Sequence, residues 1–182
     1  MASWWIVNKD KATILTPKVA SRSISVALKS FRKEQHQPQR VSIWVRHPIE
    51  RIASSMVAFI KKDKDISTFL AQDRVNDHLA PMVDYLNWRF SGGVGDHNLI
   101  DVGAKDLIFK PERVFFYEDL PQSYFDMCEW LDIDRRRLKW LNEQRKGKTI
   151  KDVFLKNLNE VEKYYSNDLI VYERLKKDYG SN

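Results

Sequence analysis

The sequence has few of the residues that usually mark a metal site or a glycine-rich phosphate loop. Its 182 residues include one cysteine, Cys128, which excludes an internal disulfide and favours a reducing compartment. The first glycine is Gly92, so neither a Walker A loop nor a dinucleotide fingerprint precedes it. The four histidines lack metal-ligand spacing. No apolar run resembles a signal peptide or a membrane anchor, and we therefore expect a cytoplasmic protein without a metal.

Composition is that of a globular chain and is compatible with an anionic ligand without deciding what the ligand is. The formal charge is +6, from 31 basic and 25 acidic residues, and hydrophobic residues make up 43% of the chain. The hydrophobic content is typical of a folded protein, and the length suffices for one α/β domain over residues 1–182. The positive charge suits an anionic small molecule or an acidic glycan, and it would also suit nucleic acid.

Residues 16–23 are the most informative segment, because they join an apolar run to a stretch with helical apolar spacing. Such a turn offers backbone N–H groups at a helix N-terminus, where the macrodipole favours an anion. The turn also carries one lysine, one arginine and two serines: Lys18, Arg22, Ser21 and Ser23. The combination predicts a cradle for a phosphate or a phosphosulfate. An ordinary turn with a serine cap is the alternative.

Residues 41–54 predict a second strand–turn–helix unit. Residues 41–45 are nearly all apolar, as in a buried parallel strand, and Pro48 suits the first position of a helix. Arg46 would then emerge at the carboxyl end of the strand, where open α/β sheets bind their ligands. Ser54 lies off the apolar stripe of the helix and is predicted to face the same ligand. The alternative is an exposed arginine and a solvated serine.

These segments resemble the cofactor motifs of sulfotransferases that use 3′-phosphoadenosine 5′-phosphosulfate (PAPS). Residues 17–23, Pro-Lys-Val-Ala-Ser-Arg-Ser, resemble the family's loop for the 5′-phosphosulfate. Residues 45–54 resemble its 3′-phosphate motif, including the step from Arg46 through Arg51 to Ser54. Further segments resemble landmarks of the carbohydrate sulfotransferase branch, in the same order along most of the chain: residues 77–81, 117–120 and 164–172.

The resemblance implies a fold and an activity. The fold would be α/β, with a three-layer, P-loop-like arrangement in which a short central parallel sheet is flanked by helices. The enzyme would transfer a sulfuryl group from PAPS to a hydroxyl of a carbohydrate or other small acceptor. It would release 3′-phosphoadenosine 5′-phosphate (PAP) and require no metal, and neither a nucleic-acid partner nor a membrane partner is expected.

The resemblance also implies roles for individual residues. Lys18 would be catalytic, by stabilising charge on the phosphate oxygen that leaves the sulfuryl group. Arg46 and Ser54 would bind the 3′-phosphate. The remaining cofactor contacts would come from the first loop and from a late basic segment: Ala20, Ser21, Arg22, Ser23, Arg145, Lys146 and Gly147. A surface basic run is the alternative for residues 145–147.

The chain departs from the family pattern at three positions. Ala20 replaces a usual glycine, His47 replaces an acidic or amide residue, and Met82 replaces a common glutamine. Ala20 would be tolerated if its backbone φ stays negative.

His78 is the predicted general base, with a structural histidine as the alternative. Glu34 and His36 lie between the two cofactor motifs, where family bases often lie. A helix over residues 23–34 would carry them roughly 18 Å from the site at 1.5 Å per residue. Glu50 is a third candidate.

Apolar periodicity predicts the elements of secondary structure. Strands are predicted at 4–7, 12–16 and 114–117, and helices at 23–34, 49–62, 66–73, 79–89, 121–131, 134–144 and through the C-terminal third.

Two other function classes stay open. The first alternative is a nucleotide-binding protein of the same fold that lacks transfer activity or is kinase-like, although Walker A spacing is missing. The second is a basic nucleic-acid-binding domain, although the sequence shows no recognisable module of that kind.

Overall fold

The computed structural model describes residues 5–17, 19–33, 39–60, 80–93, 103–138 and 158–180. Five strands lie in these ranges: Trp5–Asn8 (β1), Lys11–Leu15 (β2), Arg32–Lys33 (β3), Arg40–Val45 (β4) and Arg113–Phe116 (β5). The helices there are Ser21–Ala27 (α1), Pro48–Ile60 (α2), Met82–Phe90 (α3), Gln122–Trp130 (α4), Leu158–Tyr164 (α5) and Ser166–Tyr179 (α6). Short 3-10 helices cover Lys29–Phe31 and Tyr117–Asp119.

The strands form one mixed sheet in the order β3-β1-β2-β4-β5. β2, β4 and β5 are parallel, whereas β1 runs antiparallel to both β2 and β3. The predicted central parallel sheet corresponds to β2, β4 and β5, and the antiparallel β1 makes the whole sheet mixed. The register pairs Leu15 with Trp44 and Val45 with Phe116, so the carboxyl ends of the three parallel strands meet at one edge, which we call the carboxyl edge.

The antiparallel part of the sheet follows from a short reversal. Only Lys9 and Asp10 separate β1 from β2, and Lys9 has a positive φ of 54°. Two-residue hairpin turns of this kind reverse the chain with little splaying of the strands. A parallel pair would instead require a long crossover connection.

Helices cover both faces of the sheet. Ile14, Ile43 and Phe116 lie in a cluster with residues of α3 and α6. Side chains of the opposite pleat, Leu15 and Trp44 among them, lie in a second cluster with residues of α1 and α4. Alternate residues of β1, β2, β4 and β5 thus enter two apolar layers, as the period of two requires. The result is an α/β arrangement with helices on both faces of the sheet.

Most predicted elements are confirmed to within about three residues. The predicted end of the first helix is wrong, and so is the described part, residues 134–138, of the predicted helix 134–144. α1 ends at Ala27, and residues 32–33 form β3 instead of continuing the helix to residue 34. Three serines and two β-branched residues lower the helix propensity of α1. Residues 134–138 are irregular because the Tyr124 hydroxyl donates to the Arg136 carbonyl (2.8 Å) and accepts from its N–H (3.3 Å). The predicted helix at 66–73 lies outside the described residues.

Cys128, predicted to be a core residue, is fully buried on α4. Within the described ranges, no helix is both long enough and apolar enough to cross a membrane.

Candidate functional site

The two segments that resemble cofactor motifs lie side by side at the carboxyl edge. Residues 16–23 follow β2 and residues 46–54 follow β4, and these strands are neighbours in the sheet. The Thr16 hydroxyl donates to the Trp44 carbonyl over 2.8 Å and ties the two loop entrances together. Parallel pairing therefore explains why segments separated in the sequence meet at one site.

The first loop leads into α1 through Ala20. The Ala20 carbonyl accepts a hydrogen bond from the Ile24 N–H (3.0 Å), and its side chain cannot cap the helix. Ser21 and Ser23 are buried, whereas Arg22 is exposed. The predicted cradle thus contains two shielded hydroxyl groups and one guanidinium that is open to solvent.

Ala20 has a left-handed backbone with φ 57° and ψ 17°, so the condition under which an alanine would be tolerated without strain is not met. A β-carbon in this conformation costs about 1 to 2 kcal/mol. Ala20→Gly should therefore raise the free energy of unfolding by about 1 kcal/mol, as measured by urea denaturation.

Ala53→Gly provides the matched control, because Ala53 lies in the interior of α2. The same substitution in a helix interior should lower the free energy of unfolding by about 1 kcal/mol. A loss of similar size at position 20 would show that Ala20 is not held in the left-handed region.

Arg46 directly follows β4 and is 8% exposed. Its guanidinium lies over the ring of Tyr117, 4.3 Å from the ring centroid, and 3.4 Å from the Glu50 carboxylate. Tyr117 follows β5 as Arg46 follows β4, and the Val45–Phe116 register makes these two residues neighbours at the carboxyl edge. Arg46 is therefore held against the protein instead of extending freely into solvent.

Glu118 connects the start of α2 to α6. One carboxylate oxygen accepts the His47 N–H (2.8 Å), and the other accepts the Tyr172 hydroxyl (3.2 Å). His47 caps α2, because its carbonyl accepts the Arg51 N–H (2.9 Å), and a carboxylate there interacts favourably with the helix dipole. Burial, with the nearby Glu118 charge, raises the pKa of Tyr172 well above its usual value, so this hydroxyl stays a hydrogen-bond donor.

A buried ion pair lies beneath the site. Arg51 and Asp168 are both fully buried, with 3.8 Å between their closest charged atoms. The Arg51 Nη2 donates to the Ala80 carbonyl (2.6 Å), and the Asp168 carboxylate accepts the N–H groups of Met82 and Val83. Burial raises the pKa of Asp168 to about 6, although Arg51 and the two N–H groups act in the opposite direction. Together Arg51 and Asp168 hold the corner that begins α3.

The structure brings some of the predicted site residues together. Ala20, Ser21, Arg22 and Ser23 lie around the start of α1, and Arg46 lies at the neighbouring strand end. Ser54 is half-buried on α2, about two turns beyond Arg46. Other predicted residues lie outside the described residues: Lys18, His78, Arg145, Lys146 and Gly147.

The reason for setting aside Glu34 and His36 is wrong. α1 has seven residues instead of a dozen, and β3 then returns along the sheet. The register places Lys33 beside Trp5, and Trp5 beside Ile14, which is one residue from the carboxyl end of β2. The chain at Lys33 is thus at the carboxyl edge and not at the opposite one. Glu34 and His36 themselves lie outside the described residues.

The sequence contained a signal for the buried pair that its interpretation missed. Asp168 stands at the helical spacing of Val171, Tyr172 and Leu175, all of which are buried. A carboxylate on an apolar stripe requires a buried cation or N–H partners. The role of Glu118 had no comparable signal, because its partners come from distant parts of the chain.

A cavity of about 380 Å³ lies elsewhere, beyond the amino end of β5. Residues 106–111 and the second half of α6, including Arg174 and Tyr179, line it. None of the predicted site residues is among its lining residues. Arg46 and its neighbours, by contrast, offer a cation at the carboxyl ends of parallel strands, where α/β proteins bind ligands.

Comparisons of the chain with protein-family models, with curated proteins and with solved structures found no match.

Proposed function

We propose that the chain is a sulfotransferase that transfers a sulfuryl group from PAPS to a hydroxyl of a carbohydrate or other small acceptor. The observation that supports it best is Arg46, a largely buried guanidinium at the end of a parallel strand, next to the loop that follows β2. A guanidinium is the preferred side chain for bidentate binding of phosphate. On this proposal, the two helix layers and the sheet belong to a three-layer, P-loop-like fold.

On this proposal, cationic and hydroxyl side chains would bind the two charged ends of PAPS. Arg46, with Ser54, would hold the 3′-phosphate, and the segment Arg145 to Gly147 would add a late contact. Lys18 and the loop residues Ser21, Arg22 and Ser23 would hold the 5′-phosphosulfate. These assignments use cationic and hydroxyl donors for anionic oxygens, and they need no metal.

Each catalytic group would have one task in the transfer. PAPS, when bound, supplies an activated sulfuryl group with a good leaving group. The Lys18 ammonium would stabilise negative charge on the departing phosphate oxygen. His78 would accept the proton of the acceptor hydroxyl as its oxygen bonds to sulfur. We also propose a cytoplasmic location, which the single buried Cys128 supports.

Calorimetric binding of PAP, with 5′-AMP for comparison, tests the proposal. The wild type should bind PAP at least about tenfold more tightly, because only PAP carries the 3′-phosphate. Arg46→Ala should weaken PAP binding by about 10- to 100-fold, the range expected for a charge-assisted hydrogen bond, and should leave 5′-AMP binding unchanged.

Arg137→Ala is the matched control, since Arg137 is exposed and its substitution removes the same charge. It should change PAP affinity by less than about twofold. Equal binding of PAP and 5′-AMP, or no binding of either, would overturn the sulfotransferase proposal. Salt-sensitive binding of duplex nucleic acid without competition by PAP would favour the nucleic-acid alternative.

A further inference from the structure

Within the described part of the chain, Tyr117 and Glu50 contact Arg46 in different ways. The Tyr117 ring lies under its guanidinium at 4.3 Å and belongs to a 3-10 turn that packs against the core. Glu50 lies in the first turn of α2, and its carboxylate is 3.4 Å from the guanidinium. Its side chain is 57% exposed. A guanidinium stacked on a ring keeps its N–H edge available for partners in its own plane. Tyr117 thus supports the guanidinium of Arg46 from below, while Glu50 is a partner of its Nη2.

The Glu50 contact is weak enough to be exchanged. The closest atoms of the pair are 3.4 Å apart, which is long for a charge-assisted hydrogen bond, and the Glu50 side chain is more than half exposed, so water readily replaces Arg46 as its partner. A phosphate dianion offers several oxygens to one guanidinium and forms shorter, charge-assisted bonds. A ligand without a phosphate at this position offers nothing that replaces the carboxylate.

We propose that Glu50 is an internal counter-ion that competes with the 3′-phosphate for Arg46, while Tyr117 is the platform that keeps the guanidinium in place during the exchange. This role rests on the proposed function and adds a residue that tunes the affinity for the 3′-phosphate. A nucleotide with a 3′-phosphate displaces Glu50 into solvent, whereas 5′-AMP leaves the Arg46–Glu50 pair intact. The carboxylate thereby lowers the affinity for PAP and leaves the affinity for 5′-AMP unchanged.

Glu50→Gln should tighten PAP binding about two- to fivefold in calorimetry, the range for removing a weak ion pair whose carboxylate is exposed, and should leave 5′-AMP binding unchanged. Glu129→Gln is the control, since Glu129 pairs with Arg135 at 3.8 Å on the last turn of α4. It changes the net charge equally without touching Arg46. PAP affinity should therefore stay within the error of the wild type.

Tyr117 is tested with two variants that separate the ring from the hydroxyl. Tyr117→Leu should weaken PAP binding about three- to tenfold, in line with loss of a partly buried cation–π contact. Tyr117→Phe keeps the ring and should bind PAP like the wild type. Thermal unfolding of both variants identifies a loss that comes from misfolding, and the exposed Glu50 variant does not share that risk.

The outcomes separate this inference from the proposed function. Wild type that binds PAP no better than 5′-AMP overturns both. Wild type that prefers PAP, with unchanged affinity in Glu50→Gln, overturns only the counter-ion role. An equal gain in Glu129→Gln also overturns that role, because net charge would then explain the effect. Equal PAP affinities of the folded Tyr117→Leu and Tyr117→Phe variants overturn the role of the Tyr117 ring as a platform.

Discussion

Asp168→Ala should lower the free energy of unfolding by about 3 to 5 kcal/mol, the cost of removing one partner of a buried ion pair. The variant leaves the fully buried Arg51 without its carboxylate. It also removes the acceptor of the Met82 and Val83 N–H groups at the start of α3. Arg51 already has two buried nitrogens, Nε and Nη1, without a hydrogen-bond partner in the described part of the chain. Urea denaturation of wild type and variant measures the difference.

Asp106→Ala is the control, because Asp106 pairs with Arg174 on the surface, where both side chains are about half exposed. Its cost should not exceed about 1 kcal/mol. The double variant Arg51→Met/Asp168→Ala should cost less than the sum of its two single variants, since no buried charge is left unpaired. Similar small losses for Asp168→Ala and Asp106→Ala would show that the buried pair does not hold α3.

The contribution of Asp168 to the free energy of unfolding should depend on pH. Burial raises the pKa of Asp168 from 3.8 to about 6 in the folded chain. The stability that this group contributes is therefore fully present below about pH 4 and is lost as the pH rises through 6. The difference in unfolding free energy between wild type and Asp168→Ala should be about 1 kcal/mol larger at pH 5 than at pH 7. A difference that shrinks on acidification would contradict the raised pKa.

His78→Ala should reduce sulfuryl transfer by about 10²- to 10⁴-fold, the usual contribution of a general base. PAP affinity should stay unchanged, because the base acts on the acceptor and not on the nucleotide. Release of PAP from PAPS, with the acceptor that supports the fastest wild-type turnover, measures the effect. Unchanged turnover would remove His78 from the catalytic role.

Glu34→Gln belongs beside His78→Ala in the same assay. The geometric reason for excluding Glu34 assumed a long α1, and the observed β3 takes that reason away. A larger loss of turnover in Glu34→Gln than in His78→Ala, with PAP binding retained in both, would transfer the assignment to Glu34.

Elements with strong local patterns were predictable from the sequence. The apolar run that ends at Val45, followed by Pro48, indicated both β4 and the start of α2. Arg46 at the strand end follows from this pattern and from the general geometry of parallel sheets. The end of α1 was not predictable, because the two residues of β3 are extended only through pairing with β1, which local periodicity does not contain.

The cationic residues of the candidate site were predictable from the sequence, whereas the contacts and backbone geometry around them were not. Positive charges beside turn signals indicated the loop with Arg22 and the strand end with Arg46. Tyr117 reaches Arg46 only because β5 lies next to β4 in the sheet. The left-handed φ of Ala20 depends on how the loop closes between β2 and α1. An alanine in the sequence does not indicate such a conformation.

The position of Asp168 in the chain has a consequence for folding during synthesis. On the ribosome, α2 and all five described strands are translated before α6. Until Asp168 emerges, Arg51 has no carboxylate with which it can be enclosed, and the start of α3 lacks its acceptor. The sheet face that α3 and α6 cover must therefore close late, through contacts between distant parts of the chain, which slow folding. A nascent chain stalled before α6 would expose that apolar face to chaperones.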